Sequence, residues 1–121
     1  MNQFICYPRC STCKKAQKWL DEHRIPYELR DIKENNPTAE ELAAWQQKSG
    51  KEVKKFFNTS GQLYRSMGLK DKVKEMSDQD MLALLATDGM LVKRPILVDD
   101  AGEGRTFVGF REAEYETLLE K

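Results

Sequence analysis

A surplus of charge of either sign is missing from this chain: its 121 residues carry 20 Lys and Arg against 20 Asp and Glu, a formal net charge of zero. That balance removes the general attraction by which basic proteins hold nucleic acid or anionic membranes, so any such partner would need a local patch. Long apolar runs are missing too. Nowhere do about eighteen apolar residues follow one another, as a membrane span requires, and Met1-Asn2-Gln3-Phe4 has neither the charged start nor the apolar stretch of a secretory leader. The expectation is a soluble, cytoplasmic protein that touches neither membrane nor nucleic acid directly. Histidine occurs once, as His23, and cysteine three times. Three clustered cysteines are too few for the disulfide framework of a small secreted domain. Without further Cys or His at ligand spacing they do not complete the donor set of a structural zinc site either. No metal and no tightly bound cofactor is expected, and repeats and low-complexity tracts are absent.

What is present begins with Cys10-Ser11-Thr12-Cys13, set between the apolar run Phe4-Ile5-Cys6-Tyr7-Pro8 and a helical pattern. A Cys-x-x-Cys between a strand and a helix in a reducing compartment points to thiol redox chemistry. A helix amino end offers unpaired N–H groups and the positive end of the peptide dipole, which favours the thiolate, the reactive form of a cysteine. Cys10, at the helix entrance, reads as the exposed attacking sulfur. Cys13 lies one turn in, on the apolar face with Ala16 and Leu20, and reads as the shielded resolving sulfur. Lys14, Lys15 and Lys18 follow, and positive charge within a turn or so also favours a thiolate; Arg9 and Arg94 are candidates to add to it. Lysines at a helix start oppose the dipole at a cost of about a few tenths of a kcal/mol, so their placement suits an anionic site better than it suits the helix. For Lys15 and Lys18 a solvated helix face is the lesser alternative. Cys6, alternating with Phe4, reads as a small buried hydrophobe, and Trp19 and Trp45 as core residues. His23 is several turns from Cys10 and is assigned no role.

The chain is expected to form one domain over residues 1–121, long enough for a core without staples. Residues 3–7 read as a strand, 11–23 as a helix and 26–32 as a second strand, and a crossover of this kind makes the two strands parallel. Thr38 with Glu41 three residues on forms a capping box, opening a helix that stops at Ser49-Gly50. The pattern then stays helical but broken to Leu91, with Ser77 capping a helix that Asp88-Gly89 ends. Ile96-Leu97-Val98, a turn rich in Asp and Gly, and Thr106 to Phe110 read as a β-hairpin, followed by a short helix over 112–119. The order βαβ, helices, ββα is that of an α/β, thioredoxin-like fold: a four-stranded mixed sheet with a helical insertion at about 38–91. Arg94-Pro95 precedes the third strand, where a cis proline can stand.

These residues together resemble the arsenate reductase/Spx (ArsC-like) family of thioredoxin-fold proteins. The likeness is carried by Pro8-Arg9-Cys10-Ser11-Thr12-Cys13-Lys14, Pro37-Thr38-Ala39-Glu40-Glu41-Leu42, Phe56-Phe57-Asn58, Gly68-Leu69, Gly89-Met90-Leu91 and Arg94-Pro95-Ile96. It implies a redox cysteine at Cys10 and an arginine at Arg94 beside a cis Pro95. Glutaredoxin-coupled arsenate reductases of this family hold the oxyanion with three arginines, of which this sequence keeps Arg94. Asn58 and Gly109 stand where the other two are expected, with Arg111 two residues after the latter, and Cys6 stands where those enzymes carry a histidine. Fewer charge-assisted donors weaken the capture of a multiply charged oxyanion. Cys13 replaces a serine of those enzymes, which opens a Cys10–Cys13 disulfide, the pair that the Spx branch uses as a switch. The resulting expectation is thiol–disulfide exchange with Cys10, Cys13 and Arg94 as catalytic residues. Lys14, Arg94 and Pro95 are the residues expected to hold glutathione as co-substrate, and glutathione, glutaredoxin or an oxidised protein thiol is the expected partner. The alternatives are an Spx-like regulator binding RNA polymerase and an arsenate reductase, the latter disfavoured by Asn58 and Gly109.

Overall fold

The computed structural model describes residues 2–99 and 105–119; the middle of the expected Asp/Gly-rich hairpin turn, 100–104, lies outside the described residues. In chain order the elements are β1 (Asn2–Cys6), α1 (Ser11–Glu22), β2 (Tyr27–Asp31), α2 (Ala39–Ser49), α3 (Gln62–Ser66), α4 (Leu69–Lys72), α5 (Asp78–Leu85), β3 (Ile96–Val98), β4 (Thr106–Val108) and α6 (Glu112–Tyr115). Short 3-10 turns cover Val53–Phe56, Val73–Glu75, Gly89–Leu91 and Glu116–Leu119. Two compact units result, Met1–Asp31 with Arg94–Lys121, and Ile32–Lys93. No helix among the described residues is long and apolar enough to cross a membrane.

The first unit is a four-stranded mixed sheet of order β2-β1-β3-β4. The α1 crossover returns the chain in the same direction, so β1 and β2 pair in parallel from Asn2↔Tyr27 to Cys6↔Asp31. β3 runs antiparallel to β1, with Phe4 opposite Leu97, and β4 closes an antiparallel hairpin with β3. Strand alternation puts Phe4, Cys6 and Leu97 on one face. Helical period puts Cys13, Ala16, Trp19 and Leu20 on the face of α1 that buries them. These side chains and Tyr115 of α6 form one core cluster. The Tyr115 ring meets Trp19 edge-on at 5.6 Å between centroids and Phe110 at 4.8 Å. Its hydroxyl is buried with no hydrogen-bond partner among the described residues, and burial pushes the phenol above its ordinary range. At the edge strand β2, Tyr27 packs beside Phe4 at 5.4 Å, while Leu29 stays 57% exposed, so alternation there does not translate into burial.

In the second unit the capping box forms on both sides: the Glu41 N–H donates to Thr38 Oγ1 and the Thr38 N–H to Glu41 Oε1, each at 3.1 Å. Gly50 ends α2 in the left-handed conformation, φ 70°. Ser77 accepts the Asp80 N–H and opens α5. That helix ends at Leu85, short of the Asp88-Gly89 expected from the sequence. Asp88 instead accepts the Met90 N–H at 2.8 Å and starts a new 3-10 turn, since a short carboxylate competes for a nearby N–H and so caps better than it terminates. An isolated bridge joins Phe57 and Val92, flanked by bonds from the Asn58 N–H to Leu91 O and from the Lys93 N–H to Phe56 O, both 2.7 Å. Leu42, Trp45, Phe56, Phe57, Leu69 and Leu85 are buried in this unit.

Two stability changes of opposite sign are expected. A Cβ at Gly89 would run into the Ile32 carbonyl, so Gly89→Ala should lower the urea midpoint by the equivalent of about 3 kcal/mol. Tyr115→Phe removes a hydroxyl that has no partner among the described residues and should raise stability by about 1 kcal/mol, read as a Tm increase of about 4 °C; a drop in Tm would mean that the hydroxyl is engaged.

Candidate thiol redox site

The cysteines gather where β1 runs out and α1 begins. After Cys6 the chain turns through Tyr7-Pro8-Arg9, held by the Cys10 N–H donating to Tyr7 O at 2.9 Å. Cys10 is the N-cap of α1 with extended backbone, φ −84° and ψ 122°, and its carbonyl accepts the Lys14 N–H at 3.1 Å. Its side chain makes no capping bond, and the first turn carries no acidic residue. The sulfur at the positive end of the helix is therefore neither occupied as a cap nor opposed by a carboxylate. Cys10 is half-buried, whereas Cys13, one turn on, is 1% exposed. All three cysteines are free thiols.

Cys13 Sγ is the hub of this cluster. The Tyr7 N–H donates to it at 3.4 Å, and Cys6 lies in the same buried core cluster, with Cys10 packed against it. The neighbouring Cys6 sulfur, then burial, push the Cys13 thiol far above the ordinary range. The same neighbour interaction lowers Cys6, against burial and the charge of Asp31. Cys6 is buried, as its place in a strand suggests, yet its contact with Cys13 gives it a place in the site that the Cys-x-x-Cys spacing does not announce. The available signal was its position at the end of the strand leading into the redox loop.

Arg94 stacks on the ring of Tyr7, with Cζ 5.2 Å from the centroid. The Arg94-Pro95 peptide is cis, and Pro95 O accepts the Gly109 N–H at 2.8 Å. Gly109 has φ 77°, a conformation that suits glycine and strains an arginine. Lys14, Lys15 and Lys18 are exposed, and Lys18 pairs on the surface with Glu22 at 3.9 Å, which fits a solvated face for that lysine. His23 stacks on Trp19 at 4.0 Å, with Nδ1 2.8 Å from the Trp19 carbonyl, and belongs to the far end of α1. Asn58 belongs to the second unit, where its backbone carbonyl accepts the Gly61 N–H. Among the described residues no group of three or more His, Cys, Asp or Glu could hold a metal ion.

A Cys-x-x-Cys at the amino end of the first helix of a βαβ-plus-ββα sheet, with a cis-proline opening the third strand, defines a thioredoxin-like protein. Residues 6–118 match the model of the ArsC family, and the chain belongs to that family. It is 51% identical over 113 residues to the uncharacterized protein YusI of Bacillus subtilis (strain 168), covering 93% of each chain. It is 32% identical over 112 residues to the global transcriptional regulator Spx of Enterococcus faecalis (strain ATCC 700802 / V583), covering 93% of this chain and 81% of the relative. A solved structure of a possible arsenate reductase from Streptococcus mutans UA159 superposes with a TM-score of 0.87 at 49% identity, covering 98% of both chains.

The difference in exposure gives a direct test. Brief treatment of the reduced native protein with iodoacetamide should modify Cys10 at least tenfold faster than Cys6 or Cys13, as counted by peptide mass mapping; equal rates would show that the cluster is open.

Proposed function

We propose that the protein carries out thiol–disulfide exchange in the cytoplasm, with Cys10 as nucleophile and Cys13 as resolving thiol. The Cys10 thiolate attacks one sulfur of an oxidised partner, forming a mixed disulfide and releasing the other sulfur as thiolate. Cys13 then loses its proton and attacks Cys10 Sγ, freeing the reduced partner and leaving a Cys10–Cys13 disulfide. Two electrons pass to the partner, and glutathione or a glutaredoxin returns them. The observation that carries this reading is a half-buried Cys10 at the helix entrance, packed against the core cluster that holds a shielded Cys13 one turn on. Arg94 and Lys14 supply positive charge for an anionic thiolate or a glutathione carboxylate, with Pro95 lining that side. Cys13→Ser removes the resolving thiol, so partners should accumulate as mixed disulfides on Cys10 and be identified by mass spectrometry; an empty trap from oxidatively stressed cells would count against exchange. Because the neighbouring Cys6 sulfur and burial raise the Cys13 thiol above its ordinary range, release of a model thiol from the preformed mixed disulfide should keep accelerating from about pH 7 to about pH 9, since only ionised Cys13 attacks.

A second reading follows from the Spx relative: the Cys10–Cys13 pair serves as the redox signal of a regulator that binds RNA polymerase through protein contacts. Likeness over 93% of the chain to a global transcriptional regulator favours it. Copurification of polymerase subunits from oxidised cells, lost in Cys10→Ser, distinguishes it from exchange. Arsenate reduction is the weaker reading. Gly109 in the left-handed conformation and Asn58 leave Arg94 alone among the family's three oxyanion-binding arginines, so arsenate turnover coupled to glutaredoxin should not exceed that of Cys10→Ser.

A further inference from the structure

The chain as a whole is neutral, but its charge is unevenly spread. Residues 51–76 hold seven Lys and Arg against three Asp and Glu, and the fold gathers part of that surplus around a groove of about 620 Å³. Five lysines line it: Lys54 and Lys55 from the first 3-10 turn, Lys70 from α4, Lys74 from the turn after α4, and Lys93 following the bridge residue Val92. No Asp or Glu is among the described residues that line it. The groove lies wholly within the second unit and contains none of the cysteines. We propose that it is a binding site for a nucleotide, with the phosphates held among the lysines and the base stacked on Tyr64.

Local structure makes the walls basic. Lys70, Val73 and Lys74 stand three and four residues apart on the helical run that passes from α4 into the following 3-10 turn, and all three line the groove. Asp71 and Glu75 have the same spacing one residue on, so the period that turns the lysines in leaves the carboxylates out of the lining. The bridge between Phe57 and Val92, with the Lys93 N–H donating to Phe56 O at 2.7 Å, holds Lys55 and Lys93 on neighbouring stretches of backbone. Lys54 pairs with Glu52 at 3.3 Å. Lys55, Lys70 and Lys74 form no ion pair with any described residue, and like charges four residues apart on a helix repel. An anion bound between them would relieve that repulsion.

The lining also selects the kind of anion. A groove of this size falls within the range of small-molecule sites, about 300–1,000 Å³. Lysine ammonium groups are adaptable point charges that suit the oxygens of a phosphate chain, whereas a carboxylate is matched better by the planar fork of arginine; no arginine is among the described residues that line the groove. The remaining lining is largely aromatic and apolar. Tyr64 is half-buried and tilted at 56° to the buried Phe57 ring, 6.0 Å between centroids, and a tyrosine backed in this way offers a fixed ring face on which a base can stack. Met76 and Met81 add polarizable apolar surface. Thr59, exposed in the lining, brings a hydroxyl able to donate to or accept from a ribose.

The full chain is titrated calorimetrically with ATP in magnesium-free, low-salt buffer, and in parallel with tripolyphosphate, which carries the charge without the base. One ATP should bind per chain and saturate below about 1 mM, at least about fivefold tighter than tripolyphosphate because of the stacked base. The triple variant Lys55→Gln, Lys70→Gln, Lys74→Gln, altered only at exposed positions, should bind ATP at least about tenfold more weakly. Lys48→Gln, at an exposed lysine outside the lining, should change it less than about twofold. Tyr64→Leu, which keeps an apolar group beside Phe57, should reduce ATP to the affinity of tripolyphosphate. Absence of saturation by about 1 mM ATP, equal affinity of the wild type for ATP and tripolyphosphate, or wild-type ATP binding by the triple variant or by Tyr64→Leu overturns the assignment. So does a single-stranded oligodeoxynucleotide that binds through the same lysines and is not displaced by ATP, since the groove would then be part of a nucleic-acid surface.

Discussion

The parallel pairing of β1 with β2 is the constraint from which the site follows. Two parallel strands need a crossover, and α1 supplies it, packing Cys13, Ala16, Trp19 and Leu20 onto Phe4, Cys6 and Leu97. A crossover helix must start where the first strand ends. That brings the carboxyl end of β1 and the amino end of α1 to one place, separated only by Tyr7-Pro8-Arg9. The strand end delivers Cys6, the helix entrance delivers Cys10, and the first buried turn delivers Cys13. The sheet thereby builds the sulfur cluster as a by-product of its own connectivity.

Within the cluster, burial divides the chemistry. Cys10 keeps access to a partner because it is the N-cap and half-exposed. Cys13 is shielded, and the neighbouring Cys6 sulfur and burial raise its thiol above the ordinary range. Arg94 rests on Tyr7, and Gly109 holds a backbone conformation in which an arginine would be strained.

Much of the fold was legible in the residues. The strand–helix–strand order, the capping box at Thr38 and Glu41 and the hairpin before the last helix come from local patterns, which local physics enforces. The mixed sheet and membership of the ArsC family agree with them. Two features escaped. α5 stops at Leu85 because Asp88 caps the next turn, a competition between two uses of one carboxylate that composition does not decide. Leu29 alternates like a buried strand residue yet stays exposed, because β2 is an edge strand.

The same division holds at the site. The spacing of Cys10 and Cys13 is a helical period, so their placement at the entrance and on the buried face of one helix was fixed by sequence alone. The contact between Cys6 and Cys13 is not a period of anything. It exists because a strand and the helix packed over it share a core, so two residues seven positions apart meet through the tertiary fold. Sequence determined that this protein has a Cys-x-x-Cys pair at a helix start. Tertiary packing alone decided that the buried member of that pair shares its core cluster with a third sulfur, because residues on different elements come together only once those elements are packed.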